Sequence, residues 1–189
     1  SPVTGLRYAA RAFNAGSVSA LGRLGLLTTN THDKGTVMSE QTNNFEEFYG
    51  YKFEELSVGQ SAVYARTVTE ADILMFAGVS GDYNPVHVNE ELAASTMFGG
   101  RIAHGMLSAS FISAVLGAHL PGPGTIYLAQ SLIFKAPVRP GDTVKTTVTV
   151  KEVVAAKKRV ILDTICKVGD TVVIEGEATV RIGNKPAGT

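Results

Sequence analysis

The sequence predicts an α+β domain in which an antiparallel sheet curls around one buried helix. Three observations carry that expectation. Four segments rich in β-branched residues follow one another after position 124, and one more stands near 61–68. The run from Met106 to about His119 is nearly apolar all round. Helical and strand signals are segregated along the chain, as in antiparallel sheets with helices laid on one face.

Taken in order, SAVYARTV reads as the first strand. Thr69 followed by Asp72 forms an approximate capping box that opens a helix with an apolar side of Ile73, Leu74, Phe76 and Ala77. Glycines between Gly78 and Gly81 end it. Asn89 is a candidate N-cap for a short helix, with Glu90 and Glu91 favourably placed in its first turn. The apolar run that follows is too short for a bilayer span and is stopped by PGPG, so it reads as a core helix. TIYLAQSLIFKAPV, DTVKTTVTVKEVV, RVILDTICKV and TVVIEGEATVRI then read as strands. Alternation is clear at Val144, Thr146, Val148 and Val150.

Composition narrows the classes. At 189 residues with 18% charged side chains, the chain suits one domain with a sizeable core. Zero net charge argues against a nucleic-acid binder, and no apolar stretch is long enough for a membrane helix. Cys166 is the only cysteine, which excludes an intrachain disulfide framework and a thiolate metal site. Within VILDTICKV it reads as a small core residue. Residues 1–37 hold Arg7, Arg11, Arg23 and Lys34 against the single acid Asp33. That composition fits a transit-like extension, or a linker or added segment ahead of a native start at Met38, and the second is favoured. The working domain is expected at 38–189 and in the cytoplasm, or in the mitochondrial matrix if the extension is a transit segment.

Between the first two helices lies GDYNPVH, residues 81–87. Pro85 lacks an amide hydrogen and pushes Asn84 into an extended conformation, so the segment is expected to be a rigid, non-helical turn. The turn decides where Asp82 and His87 point. A carboxylate and an imidazole held together can share acid–base work near neutral pH. The plainer alternative is that Asp82 only caps its turn and His87 is a satisfied, partly buried histidine.

Three motifs in order resolve this: G-D-x-N-P-x-H, then Ala103-His104-Gly105-Met106, then QSLIFKAPVRPGDTV. Together they resemble the MaoC-like dehydratases, and more narrowly the (R)-specific enoyl-CoA hydratases, over about residues 50 to 180. One position departs, since many relatives carry Pro where Arg101 stands. The resemblance implies a hot-dog fold and a homodimer with the site near the subunit interface. The implied reaction is syn hydration of a short trans-2-enoyl-CoA to the (R)-3-hydroxyacyl-CoA, reversible as a dehydration. The CoA thioester is the substrate and no cofactor or metal is implied.

Asp82 and His87 would then activate water, with Asn84 and Pro85 ordering the turn. Gly105 opens the buried helix, where unpaired N–H groups carry partial positive charge and suit a thioester oxygen. The resemblance places the oxyanion contact there and assigns Ser113 and Leu116 to the acyl pocket. Leu116 is bulky, which suggests short acyl chains. His104 reads as a loop-ordering residue. His32 and His119 read as surface or helix-end residues. Asp82, His87 and His104 lack a recognisable metal-ligand spacing. Ser108, Ser110 and Ser113 lack a nucleophile elbow. Lys135 and Arg139 are candidates for the anionic end of CoA. The alternatives are a hot-dog acyl-CoA thioesterase, in which Asp82 directs water at the carbonyl, and a non-catalytic acyl-binding module.

Overall fold

A computed structural model describes residues 48–183. The expected boundary at Met38, the extension before it and His32 lie outside the described residues. Strand β1 (Ser61–Thr67) leads into α1 (Glu70–Ser80), α2 (Pro85–Val88), α3 (Glu90–Ala94) and α4 (Gly105–Ala118). Strands β2 (Thr125–Phe134), β3 (Thr143–Val154), β4 (Arg159–Val168) and β5 (Thr171–Ile182) complete the order. Among the described residues the five strands form one sheet in the order β1-β3-β4-β5-β2, and every neighbouring pair is antiparallel.

Pleating explains which side chains face α4. Alternate residues of β3 (Val144, Thr146, Val148 and Val150) are buried, and so are Val160, Leu162, Thr164 and Cys166 of β4. The valines, Leu162 and Cys166 among them pack with Leu107, Phe111, Ile112, Val115 and Leu116 of α4 in one core cluster. Cys166 is fully buried there, with Thr146 Oγ1 at 3.4 Å from its sulfur. The sheet wrapped on a central helix is the hot-dog arrangement.

The local signals for α1 hold in detail. The Thr69 hydroxyl accepts from the Asp72 N–H while the Asp72 carboxylate accepts from the Thr69 N–H. Gly81 closes the helix in the left-handed conformation, φ +78°, which costs glycine little. Asn89 caps α3 by accepting from the Leu92 N–H.

One expectation needs correction. The segment after Asn84 is helical: Pro85–Val88 makes a single turn, with Asn84 as its N-cap accepting from the Val86 N–H at 3.3 Å. Proline is excluded from helix interiors but suits the first position, where no N–H is needed and its fixed φ is already helical. The expected buried helix is α4, with Leu107, Phe111, Ile112, Val115 and Leu116 in the core, and it also has an outer face. Met106, Ser110, Ser113, Gly117 and Ala118 form an exposed stripe. Small residues carry no strong polar signal, so this face was invisible to a hydrophobicity reading.

Candidate active site

The site is built where α1 ends and α4 begins. The Asp82 N–H donates to Ser80 Oγ, and the Asn84 N–H donates to Asp82 Oδ1 at 3.1 Å. The aspartate therefore does cap its own turn, as the plain reading expected. Its second oxygen is left for other work: Oδ2 lies 3.9 Å from Nε2 of His87. That separation is too long for a direct hydrogen bond.

His87 is placed by α2 and held from behind. Its Nδ1 is 2.8 Å from the carbonyl oxygen of Ile102. A carbonyl only accepts, so Nδ1 carries the proton and the neutral ring presents Nε2 as an acceptor. The Ile102 N–H donates in turn to the Val86 carbonyl at 3.1 Å, so α2 and the segment before α4 are stitched together. His87 is buried at 6% exposure, whereas the Asp82 side chain is 51% exposed.

His104 joins these two residues. Its Nε2 donates to the backbone carbonyl of Asp82 at 2.9 Å, and its ring lies on that of His87 with centroids 3.8 Å apart. Phe76 packs against the His104 ring, 5.0 Å centroid to centroid. Ordering this loop is thus a geometric fact of His104. Its Nδ1 and the Ser108 hydroxyl are both buried without a partner among the described residues.

Gly105 is the first residue of α4, and no side chain caps that helix start. Its N–H belongs to the first turn, which has no intrahelical acceptor. A Cβ here would lie 2.7 and 2.9 Å from ring atoms of Phe134, so a side chain enters only if that ring moves. Asp82, His104, Gly105 and Ser108 all reach one cavity of about 800 Å³. Phe76, Ile102, Phe134 and Ile174 supply much of its apolar wall. His87 stands behind Asp82 and is not part of that wall.

Ser113 and Leu116 are not brought to this cavity. At 1.5 Å rise per residue, Leu116 lies about 16 Å along α4 from Gly105, and Ser113 about 12 Å. Leu116 is 1% exposed in the core, and Ser113 is on the exposed stripe. Lys135 does line the cavity and pairs with Glu175 at 2.6 Å, while Arg139 donates to the Phe98 carbonyl. His119 ends α4, exposed and stacked on Tyr64. The sequence reading missed Phe76, Phe134 and Ser108 as neighbours of the site. They come from separate elements and carry no shared motif.

Asp82, His87 and His104 each offer a ligand atom within 4.8 Å of the other two. Their proximity arises from the His87–His104 stack, which no spacing in the sequence announces. One nitrogen of each ring is already committed to a carbonyl.

An antiparallel sheet around one helix, with a carboxylate and an imidazole near the helix's N-terminal end, defines a hot-dog domain. The MaoC like domain model matches residues 55–176, and the chain belongs to that family. An (R)-specific enoyl-CoA hydratase of Rhodospirillum rubrum is 62% identical over 130 residues, 69% of this chain and 90% of that protein. A 3-hydroxybutyryl-CoA dehydratase of Methylorubrum extorquens is 47% identical over 133 residues, 70% of this chain and 85% of that one. Among solved structures, R-hydratase PhaJ1 from Pseudomonas aeruginosa in the unliganded form matches with a TM-score of 0.67 and 46% identity. That match covers 70% of this chain and 86% of that one.

Proposed function

We propose that this chain catalyses reversible (R)-specific hydration of short-chain trans-2-enoyl-CoA to (R)-3-hydroxyacyl-CoA. The observation that carries the reading is the 3.9 Å gap between Asp82 Oδ2 and His87 Nε2, two acceptors facing each other beside an uncapped helix start. One water donating a hydrogen to each bridges such a gap and turns an oxygen lone pair toward the cavity. Its hydroxyl bonds to C3 of the enoyl group, and the proton released to the pair is returned to C2. Electron density passing through C2 gathers on the thioester oxygen, where the Gly105 N–H meets it. Because one water supplies both fragments, they add to the same face. Dehydration is the reverse sequence.

The roles of Asn84 and Pro85 follow from α2: they orient the turn that carries His87. The acyl group is assigned to the apolar wall under Phe76, Ile102 and Ile174 in place of Ser113 and Leu116. A relative named for a 3-hydroxybutyryl thioester supports the short-chain reading. The reaction as written needs no metal or cofactor.

A homodimer is part of the proposal. Strand β2 is an edge of the sheet, yet Ile126, Leu128, Ile133 and Phe134 on it are exposed. An unpaired apolar edge favours pairing with another strand. A sedimentation mass equal to one chain would refute this part alone.

The decisive assay follows loss of the enoyl-thioester absorbance of crotonyl-CoA and identifies the product with an (R)-specific 3-hydroxyacyl-CoA dehydrogenase. Rapid loss giving (R) product supports the reading. Release of free CoA from a saturated acyl-CoA, with no hydration of any enoyl thioester, would replace it with thioester hydrolysis.

A further inference from the structure

Arg101 ties together the two helices that flank the site segment. Its Nη1 and Nη2 fork onto both carboxylate oxygens of Glu70 at 2.8 and 2.6 Å, and its Nε donates to Glu90 Oε2 at 3.0 Å. Glu70 is the first residue of α1, and Glu90 the first of α3. The guanidinium therefore spans the gap between two helix starts, using the planar donor geometry that a lysine lacks.

The two carboxylates are half or more exposed, at 54% and 63%. Pairs so exposed contribute little to global stability. What this pair does hold is position. The next residue, Ile102, donates its N–H to the Val86 carbonyl and receives Nδ1–H of His87 on its own carbonyl, at 2.8 Å. One backbone step thus separates the anchored Arg101 from the group that orients the imidazole.

We propose that Arg101 is a positioning residue: anchored on Glu70 and Glu90, it keeps the Ile102 carbonyl on His87 Nδ1 and so keeps Nε2 aimed at Asp82. The effect on turnover rests on the hydratase reading; the effect on the ring does not. Small displacements of a reacting group cost up to about 100-fold in rate, which sets the scale. Arg101→Met is expected to lower kcat on the order of 10- to 100-fold with little change in KM, the pattern of lost alignment as opposed to lost substrate binding. Arg101→Lys restores one contact of the fork and recovers part of the loss. Glu70→Gln, which keeps the shape and removes the charge, falls between wild type and Arg101→Met.

The test pairs these rates with nitrogen-15 NMR of the histidine rings in the full chain. In wild type the His87 ring nitrogens report a single species protonated at Nδ1. In Arg101→Met they report a mixture of tautomers, and in Arg101→Lys a return toward the single species. A merely structural role would lower the melting temperature and leave that ring signature alone. Unchanged His87 ring signals in folded Arg101→Met overturn the proposal. If that variant does not fold, Glu70→Gln is read by the same signature, with the same outcome deciding. Absence of any hydratase turnover in wild type would defeat the functional reading and leave the ring measurement to decide this one.

Discussion

Nε2 of His87 faces Oδ2 of Asp82 across 3.9 Å, while the opposite nitrogen of the same ring is fixed on the Ile102 carbonyl. The aspartate is tethered likewise, its other oxygen capping the Asn84 N–H. Each partner is held by one atom and presents the other. One atom of each side chain is thus fixed on the backbone, and the other is left facing its partner.

If the pair shares one water, both members are required. Asp82→Asn keeps the cap but turns an acceptor into a donor on one atom. His87→Ala removes the ring. Each is expected to lower kcat for crotonyl-CoA hydration by about 10²- to 10⁴-fold. Chelator treatment is expected to leave wild-type activity unchanged, and a loss restored by a divalent metal would overturn the metal-free mechanism.

Gly105→Ala tests the helix start. The added methyl meets a Phe134 ring that is 51% exposed and therefore able to swing aside. The fold should survive, with a modest change in melting temperature. Turnover is expected to fall about 10²- to 10³-fold, as when an oxyanion donor is displaced. Collapse of the fold with no change in specific activity of the folded fraction would be the wrong outcome.

Leu116 separates packing from specificity. It is 1% exposed among core residues and remote from the cavity. Leu116→Ala should cost about 2–5 kcal/mol in denaturant unfolding. Its acyl-length preference, read as kcat/KM across enoyl-CoAs of increasing length, should stay near wild type. Phe76→Ala, which opens the cavity wall, should shift that preference toward longer chains.

Asp72 predicts an acid-sensitive contribution to stability. Hydrogen bonds from the Thr69 N–H and hydroxyl, then the charge of Arg66 at 2.5 Å, hold its carboxyl below the usual range despite burial. A folded pKa below the unfolded one gives stability that is complete above the ordinary value of about 3.9 and lost as pH falls through the lowered one. Asp72→Asn should cost about 1–3 kcal/mol at neutral pH. Melting temperatures of wild type and variant should converge as pH drops below 4.

The local elements were legible because each depends on short-range chemistry. Thr69 with Asp72 reads as a capping box from four residues of text, and Val144, Thr146, Val148, Val150 reads as a buried strand face from alternation alone. The four-residue helix at Pro85 was misread for an equally local reason: the same proline that forbids a helix interior suits a helix start. The exposed stripe of α4 escaped because alanine, glycine and serine look alike in the core and at a surface.

By itself the sequence determined the elements, their segregation into helices and strands, and the pairing of a carboxylate with an imidazole in GDYNPVH. Tertiary structure decided what those groups face. Folding brings β2 beside the start of α4, so Phe134 lies on Gly105, and Ile174 of β5, the neighbour of β2 in the sheet, lines the same cavity. Folding lays His104 on His87 and sets Arg101 between Glu70 and Glu90, residues 31 and 11 positions away in the chain. Such contacts depend on directions in space, and periodicity along a strand or helix records only which face a residue occupies.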